Sequence, residues 1–162
     1  MNLIRPAMLM VIGAAVAASA LAQELPSKKV LTLEVAESIA QTALQSCHAK
    51  GYNVSVLVLD DAGRSKAFLR ADGAGNATSE IAQMKANSVL AFGRPSGPPP
   101  NLRPGQPVPA PFLPGTVNAQ GGLPIMVDGK LIGVVAVSGA PGGDKDAACA
   151  QEALDKVADR LR

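Results

Sequence analysis

The amino-acid sequence predicts a single α+β domain: an antiparallel sheet of two hairpins with helices packed on it. Three observations carry this. Apolar residues recur at helical spacing in three segments, two pairs of β-branched runs meet at short Asp/Gly turns, and no second core divides the 162 residues. The resulting order is helix, hairpin, helix, proline-rich loop, hairpin, helix.

Ahead of the first helix, Arg5 and the apolar run from Ala7 to Ala18 have the form of an export signal, too short to span a bilayer. Ala20-Leu21-Ala22 supplies the small-x-small cleavage site, so residues 1–22 read as a signal peptide and 23–162 as the mature domain. No later stretch is long enough to cross a membrane, and the expected address is periplasmic or secreted. In that oxidising compartment Cys47 and Cys149 either bridge or stay as two buried thiols. A bridge would close a loop of about 100 residues, which chain entropy values at several kcal/mol.

The spacing of Leu33, Ala36, Ile39, Ala40, Ala43, Leu44 and Cys47 predicts a helix from Thr32, its N-cap, to about Lys50, with Gly51 just past its end. Val54–Leu59 and Ser65–Arg70 then read as strands joined at Asp60-Asp61-Ala62-Gly63. After a glycine-containing loop at 71–77, Thr78 is expected to cap a helix running to about Phe92. Lys85 falls within that helix's apolar stripe. It is either a stem lying over the core with its ammonium in water or a charge aimed into a site.

Nine of the twenty residues from Pro95 to Pro114 are proline, which forbids a helix interior or a central strand there and leaves an extended loop. Leu123–Asp128 and Lys130–Ser138 form the second hairpin, turning at Asp128-Gly129. The run Leu131–Val137 is apolar on both faces and predicts a central strand covered on both sides. Asp144 is expected to cap a last helix, with Ala147, Ala150, Leu154, Val157, Ala158 and Leu161 facing inward.

Composition removes several functions. Fifteen basic and thirteen acidic residues are scattered for a net charge of +2, so no cationic stripe exists for nucleic acid. The chain has no Trp, one Tyr and one His, which leaves no base-stacking platform and no zinc cluster. It offers no Ser-His-Asp set and no phosphate-cradling loop. Asp60-Asp61 is turn chemistry, and Lys85 is the one side chain that burial could activate as an amine.

Taken in order, Gly51-Tyr52-Asn53-Val54-Ser55-Val56, Leu59-Asp60-Asp61-Ala62-Gly63, Arg70-Ala71-Asp72-Gly73-Ala74, Lys85-Ala86, Gly121-Gly122-Leu123-Pro124-Ile125, Asp128-Gly129 and Gly133–Ala140 resemble the GlcG/HbpS-like haem-utilisation family. The resemblance runs from about Leu31 to Leu161. It implies a profilin-like fold, a symmetric homo-oligomer and, in some members, haem or iron binding. Carried over, its ligand pocket would comprise Arg70, Asp72, Thr78 and Lys85, with Gly121 and Gly122 letting the backbone approach. An arginine, a lysine and a helix N-terminus favour carboxylates such as haem propionates or a small organic acid.

One departure stands out: many exported relatives carry a histidine just before the threonine corresponding to Thr78, and here that residue is Ala77. The lone His48 reads as a solvent-facing residue at a helix C-terminus, so the candidates for iron ligation are Tyr52, Met84 and Met126. The implied function is that of an exported haem-binding or haem-utilisation accessory protein. The alternatives are an enzyme or binding protein for an organic acid or carbonyl compound using Lys85 and Asp72, or a structural oligomer whose pocket is vestigial.

Overall fold

Among the described residues, four strands form one antiparallel sheet with helices on both faces. In the computed structural model, which describes residues 27–99, 101–103, 105–107 and 113–162, the elements are α1 (Leu33–Ala49), β1 (Ser55–Asp60), β2 (Ser65–Arg70), α2 (Thr78–Phe92), β3 (Gly122–Val127), β4 (Lys130–Ser138) and α3 (Gly143–Lys156). The signal segment read at 1–22 lies outside the described residues, as does part of the proline loop. Among the described residues no helix is long and apolar enough to cross a membrane.

Each predicted hairpin is present, and the two are joined through their inner strands in the order β2-β1-β4-β3. β1 and β4 pair from Ser55↔Ser138 to Asp60↔Gly133. Alternation along the strands then decides what each face meets. Val54, Val56, Val58, Val135 and Val137 pack with α1 and α3, while Leu57, Leu59, Val134 and Ala136 pack with α2. The unbroken apolar run of β4 is thus explained by burial on both faces. Fully removing a valine of this kind from water contributes about 1.5–3 kcal/mol.

α1 begins as expected, with the Thr32 hydroxyl accepting from Val35 N at 3.3 Å. It ends where the N–H groups of Lys50 and Tyr52 bond to the Cys47 carbonyl and that of Gly51, at φ +80°, bonds to the His48 carbonyl. The inward stripes of α1 and α3 bring the two cysteines together, and Cys47–Cys149 is a disulfide.

Two expected caps are corrected. Thr78 is the first residue of α2, and its hydroxyl faces back to the Gly75 carbonyl, so Ala77 stands at the cap position with no side-chain bond. α3 starts at Gly143 after Gly142, and Asp144 does not cap it. The last helix is also shorter than its apolar spacing suggests. α3 stops at Lys156 and a 3-10 turn follows at Ala158–Arg160, which leaves Ala158 exposed.

The proline loop is fastened at its feet by hydroxyls. Ser96 Oγ accepts Gly122 N at 2.8 Å and donates to Ala119 O at 2.7 Å, and Ser88 Oγ accepts Val117 N at 2.8 Å.

Candidate functional site

Lys85 sits in neither of the two positions its sequence allows. Its stripe on α2 faces the sheet, so its ammonium is carried into the interior. There it donates to Asp146 Oδ2 at 2.7 Å and to the Val137 carbonyl at 2.9 Å, with the lysine and aspartate side chains only 3% and 4% exposed. The other oxygen of Asp146 accepts Ala140 N at 2.9 Å. Burial holds the Lys85 pKa below its ordinary value, with the Asp146 hydrogen bond acting against it; burial likewise raises Asp146, opposed by Lys85. Every buried polar atom in this knot is satisfied.

Gly121 and Gly122 belong to the same knot. At φ +127°, a Cβ on Gly121 would lie 2.5 Å from Val137 O and 2.7 Å from Lys85 Nζ, and one on Gly122 would meet Lys85 O at 2.8 Å. Both glycines let the entry to β3 close over the ion pair. The backbone approach expected of them is therefore made to Lys85 itself.

Thr78 is buried at the other end of α2. Its Oγ1 lies 2.8 Å from Ser55 Oγ, and Ser79 Oγ lies 3.3 Å from the same serine. Arg70 pairs with Ser55 across β1 and β2, and its exposed guanidinium turns back to donate to the Ala74 carbonyl. Asp72 is exposed on the intervening loop. The six residues therefore fall into two places: Lys85, Gly121 and Gly122 in a closed interior knot, and Arg70, Asp72 and Thr78 around the start of α2.

The open surface of interest is on the opposite face. Leu44, Gln45, His48 and Ala49 of α1, together with Ala71 just past β2, line a shallow groove of about 260 Å³ whose exposed lining is entirely apolar. A second groove of about 500 Å³ follows the same flank of α1, between Glu37 and Gln41 and the edge strand residues Lys66–Leu69. None of the candidate iron ligands Tyr52, Met84 and Met126 lines either groove.

Asp146 and Ser55 were not found by sequence reasoning. Asp146 looks like any acid in the first turn of a helix, a common complement to the helix dipole. Its one signal was the unexplained lysine sixty-one residues earlier.

The strand order and the placement of helices on both faces define a single profilin-like α+β domain. Residues 31–155 match the family model described as haem degrading protein HbpS-like, and the chain belongs to that family. It is 32% identical over 116 residues to Protein GlcG of Escherichia coli K12, covering 69% of this chain and 84% of that protein. A double mutant of Streptomyces reticuli HbpS superposes with a TM-score of 0.70 at 30% identity, covering 90% of this chain and 99% of that one. A PduOC–haem complex superposes at 0.66 over 78% of this chain and 94% of that one, a likeness of fold at 23% identity.

Proposed function

We propose that this protein is an exported haem-binding protein acting in haem uptake, storage or protection as a homo-oligomer. The observation that carries the reading is the match of residues 31–155 to a family described by haem. Geometry supports binding over catalysis. The one lysine that burial could activate is closed off and neutralised by Asp146, so it has neither a free amine nor access to substrate.

The described side chains also suit an iron that brings its own ligands. Among them no group of three His, Cys, Asp or Glu could hold a bare metal ion. Haem needs less from the protein, because the porphyrin occupies four iron positions and asks for an apolar face and one or two axial donors. The small groove at the end of α1 has an apolar lining, and the larger one beside it is mixed.

The test is a hemin titration of the mature chain from Gln23, followed by absorbance, with size-exclusion chromatography in parallel. A saturable Soret change on an assembled protein is expected. Featureless uptake would overturn the haem reading, and a monomer at micromolar concentration would overturn the oligomer.

A second reading has its own observation. The exposed guanidinium of Arg70 lies near the uncapped start of α2, where Ser55, Thr78 and Ser79 gather, and this suits a small organic anion. Binding of a carboxylate that is lost in Arg70→Ala, with hemin uptake featureless, would favour it.

A further inference from the structure

We infer that the outer edge of β2 is a contact between two copies of this chain, which pair their β2 strands antiparallel about a two-fold axis at Leu69. This rests on the homo-oligomer proposed for the protein and names a surface that assembles it.

β2 ends the sheet, so among the described residues no strand pairs with its outer side. The ladder decides which of its backbone groups are free. Ala71 N–H bonds to the Val54 carbonyl at 3.0 Å, and next along the strands Leu69 stands opposite Val56 and Ala67 opposite Val58. Antiparallel alternation therefore turns the N–H and C=O groups of Ala67, Leu69 and Ala71 toward β1, and those of Phe68 and Arg70 outward. The side chains divide by face in the same way. Ala67 and Leu69 pack toward α1, beside the groove of about 500 Å³. Phe68 lies on the other face, opposite Leu57, where α2 covers β1, β4 and β3, and it is 46% exposed. An edge strand with free backbone groups and an exposed phenylalanine is a template for another strand.

Charge selects both the strand and its register. The outward groups belong to even-numbered residues, so two copies of β2 can pair only in registers that set even positions against even ones. A centre at Phe68 sets Lys66 against the partner's Arg70, a centre at Arg70 sets that arginine against itself, and a centre at Ala67 brings Arg64 to the partner's Arg70. Like charges directly opposite destabilise a ladder. The centre at Leu69 avoids all three. There Lys66 faces the partner's Asp72, and Phe68 faces the partner's Arg70, a cation beside an aromatic ring. Leu69 meets its own copy on the α1 side, at the non-hydrogen-bonded position where side chains approach most closely. Asp72 is free for this role, being exposed and without a hydrogen bond or ion pair to the described residues. The resulting interface is isologous, so it closes on itself and removes the edge.

Lys66 and Asp72 are roughly 20 Å apart along one strand, too far to pair within a copy. Exchanging their charges therefore tests a contact between copies. Sedimentation velocity in low salt compares the mature chain from Gln23 with Lys66→Asp, Asp72→Lys, the double exchange Lys66→Asp/Asp72→Lys, and Phe68→Pro. Wild type is expected to form a dimer or a multiple of one. Each single reversal sets like charges opposite at both symmetric positions and should weaken association about tenfold or more. The double exchange restores opposite charges at both and should recover wild-type association. Phe68→Pro removes an outward N–H and the ring while sparing the bonds to β1, so the chain should keep its circular dichroism and lose this contact. No recovery in the double exchange, or wild-type association in folded Phe68→Pro, would overturn this interface while leaving the homo-oligomer standing. A wild type that stays monomeric at micromolar concentration would remove the homo-oligomer itself, and leave the edge to a strand of another protein.

Discussion

Two regions of the molecule treat polarity in opposite ways. Between α2 and the start of α3, and where α2 begins, the chain buries its chemistry: an ammonium, a carboxylate and clustered hydroxyls, each with a partner in the protein. At the end of α1 a small groove is apolar and open, with one unengaged imidazole at its edge. Reactive side chains that are fully satisfied stabilise and specify a fold, whereas an unsatisfied donor beside a bare apolar patch has its valence left for a partner. The residue types that look most functional in the sequence are, in this protein, the least available.

The largest effect expected from this contrast lies in the interior pair. Lys85→Met leaves the Asp146 carboxylate buried without its cation and should cost about 3–5 kcal/mol in urea denaturation. Adding Asp146→Leu should recover most of that loss, because two desolvated charges are then replaced by apolar volume. Hemin affinity of the folded double variant should equal that of wild type. A folded double variant that no longer binds would put Lys85 back in the ligand site and erase the distinction between the two regions.

Gly121 and Gly51 sharpen it at smaller scale, since both have positive φ but only one is crowded. A Cβ at Gly121 runs into Val137 O, Lys85 Nζ and Asp146 Cβ, while at Gly51 nothing lies within 4 Å. Gly121→Ala should therefore cost about 3 kcal/mol, from strain and displacement of the ion pair together. Gly51→Ala should cost about 1 kcal/mol, from backbone conformation alone. Equal losses in thermal unfolding would show that the knot yields without penalty.

Local physics explains what was legible in the sequence. The periodic stripes of α1 and α2, the alternating runs of the hairpins and the Asp128-Gly129 turn all encode their geometry within a few residues, and each is found where that encoding puts it. The pairing of β1 with β4 is different: it joins segments some eighty residues apart and leaves no local mark. Lys85–Asp146 and the closeness of His48 to Ala71 are of the same kind. Thr78 shows a further limit. Its type and position suit a helix cap, but Ser55 on the facing strand offers its hydroxyl a tertiary partner instead.

The smallest effect distinguishes the buried carboxylate from the exposed one by the sign of their response to acid. On the α1 side, Glu152 of α3 clasps the last turn of α1, accepting from Lys50 Nζ at 2.8 Å and from the Ser46 hydroxyl. The Lys50 hydrogen bond, and after it that of Ser46, holds the Glu152 pKa below its ordinary 4.5. Its contribution is therefore complete above that value and is lost as pH falls through the lowered folded-state pKa. The clasp is half exposed, so Glu152→Gln should cost only a few tenths of a kcal/mol at pH 7, and the gap to wild type should close as pH falls through the lowered folded-state pKa. Asp146 runs the other way. Because burial raises its pKa, the folded protein takes up that proton before the unfolded chain does. The contribution of Asp146 is complete below its unfolded pKa and is lost as pH rises through the raised folded value. As pH falls through the raised folded-state pKa of Asp146, acidification should then stabilise wild type relative to Asp146→Asn, which keeps Lys85, while it narrows the advantage of wild type over Glu152→Gln. Urea midpoints of the three proteins across that range measure both trends, and parallel curves would mean that the buried carboxylate and the exposed one experience the same surroundings.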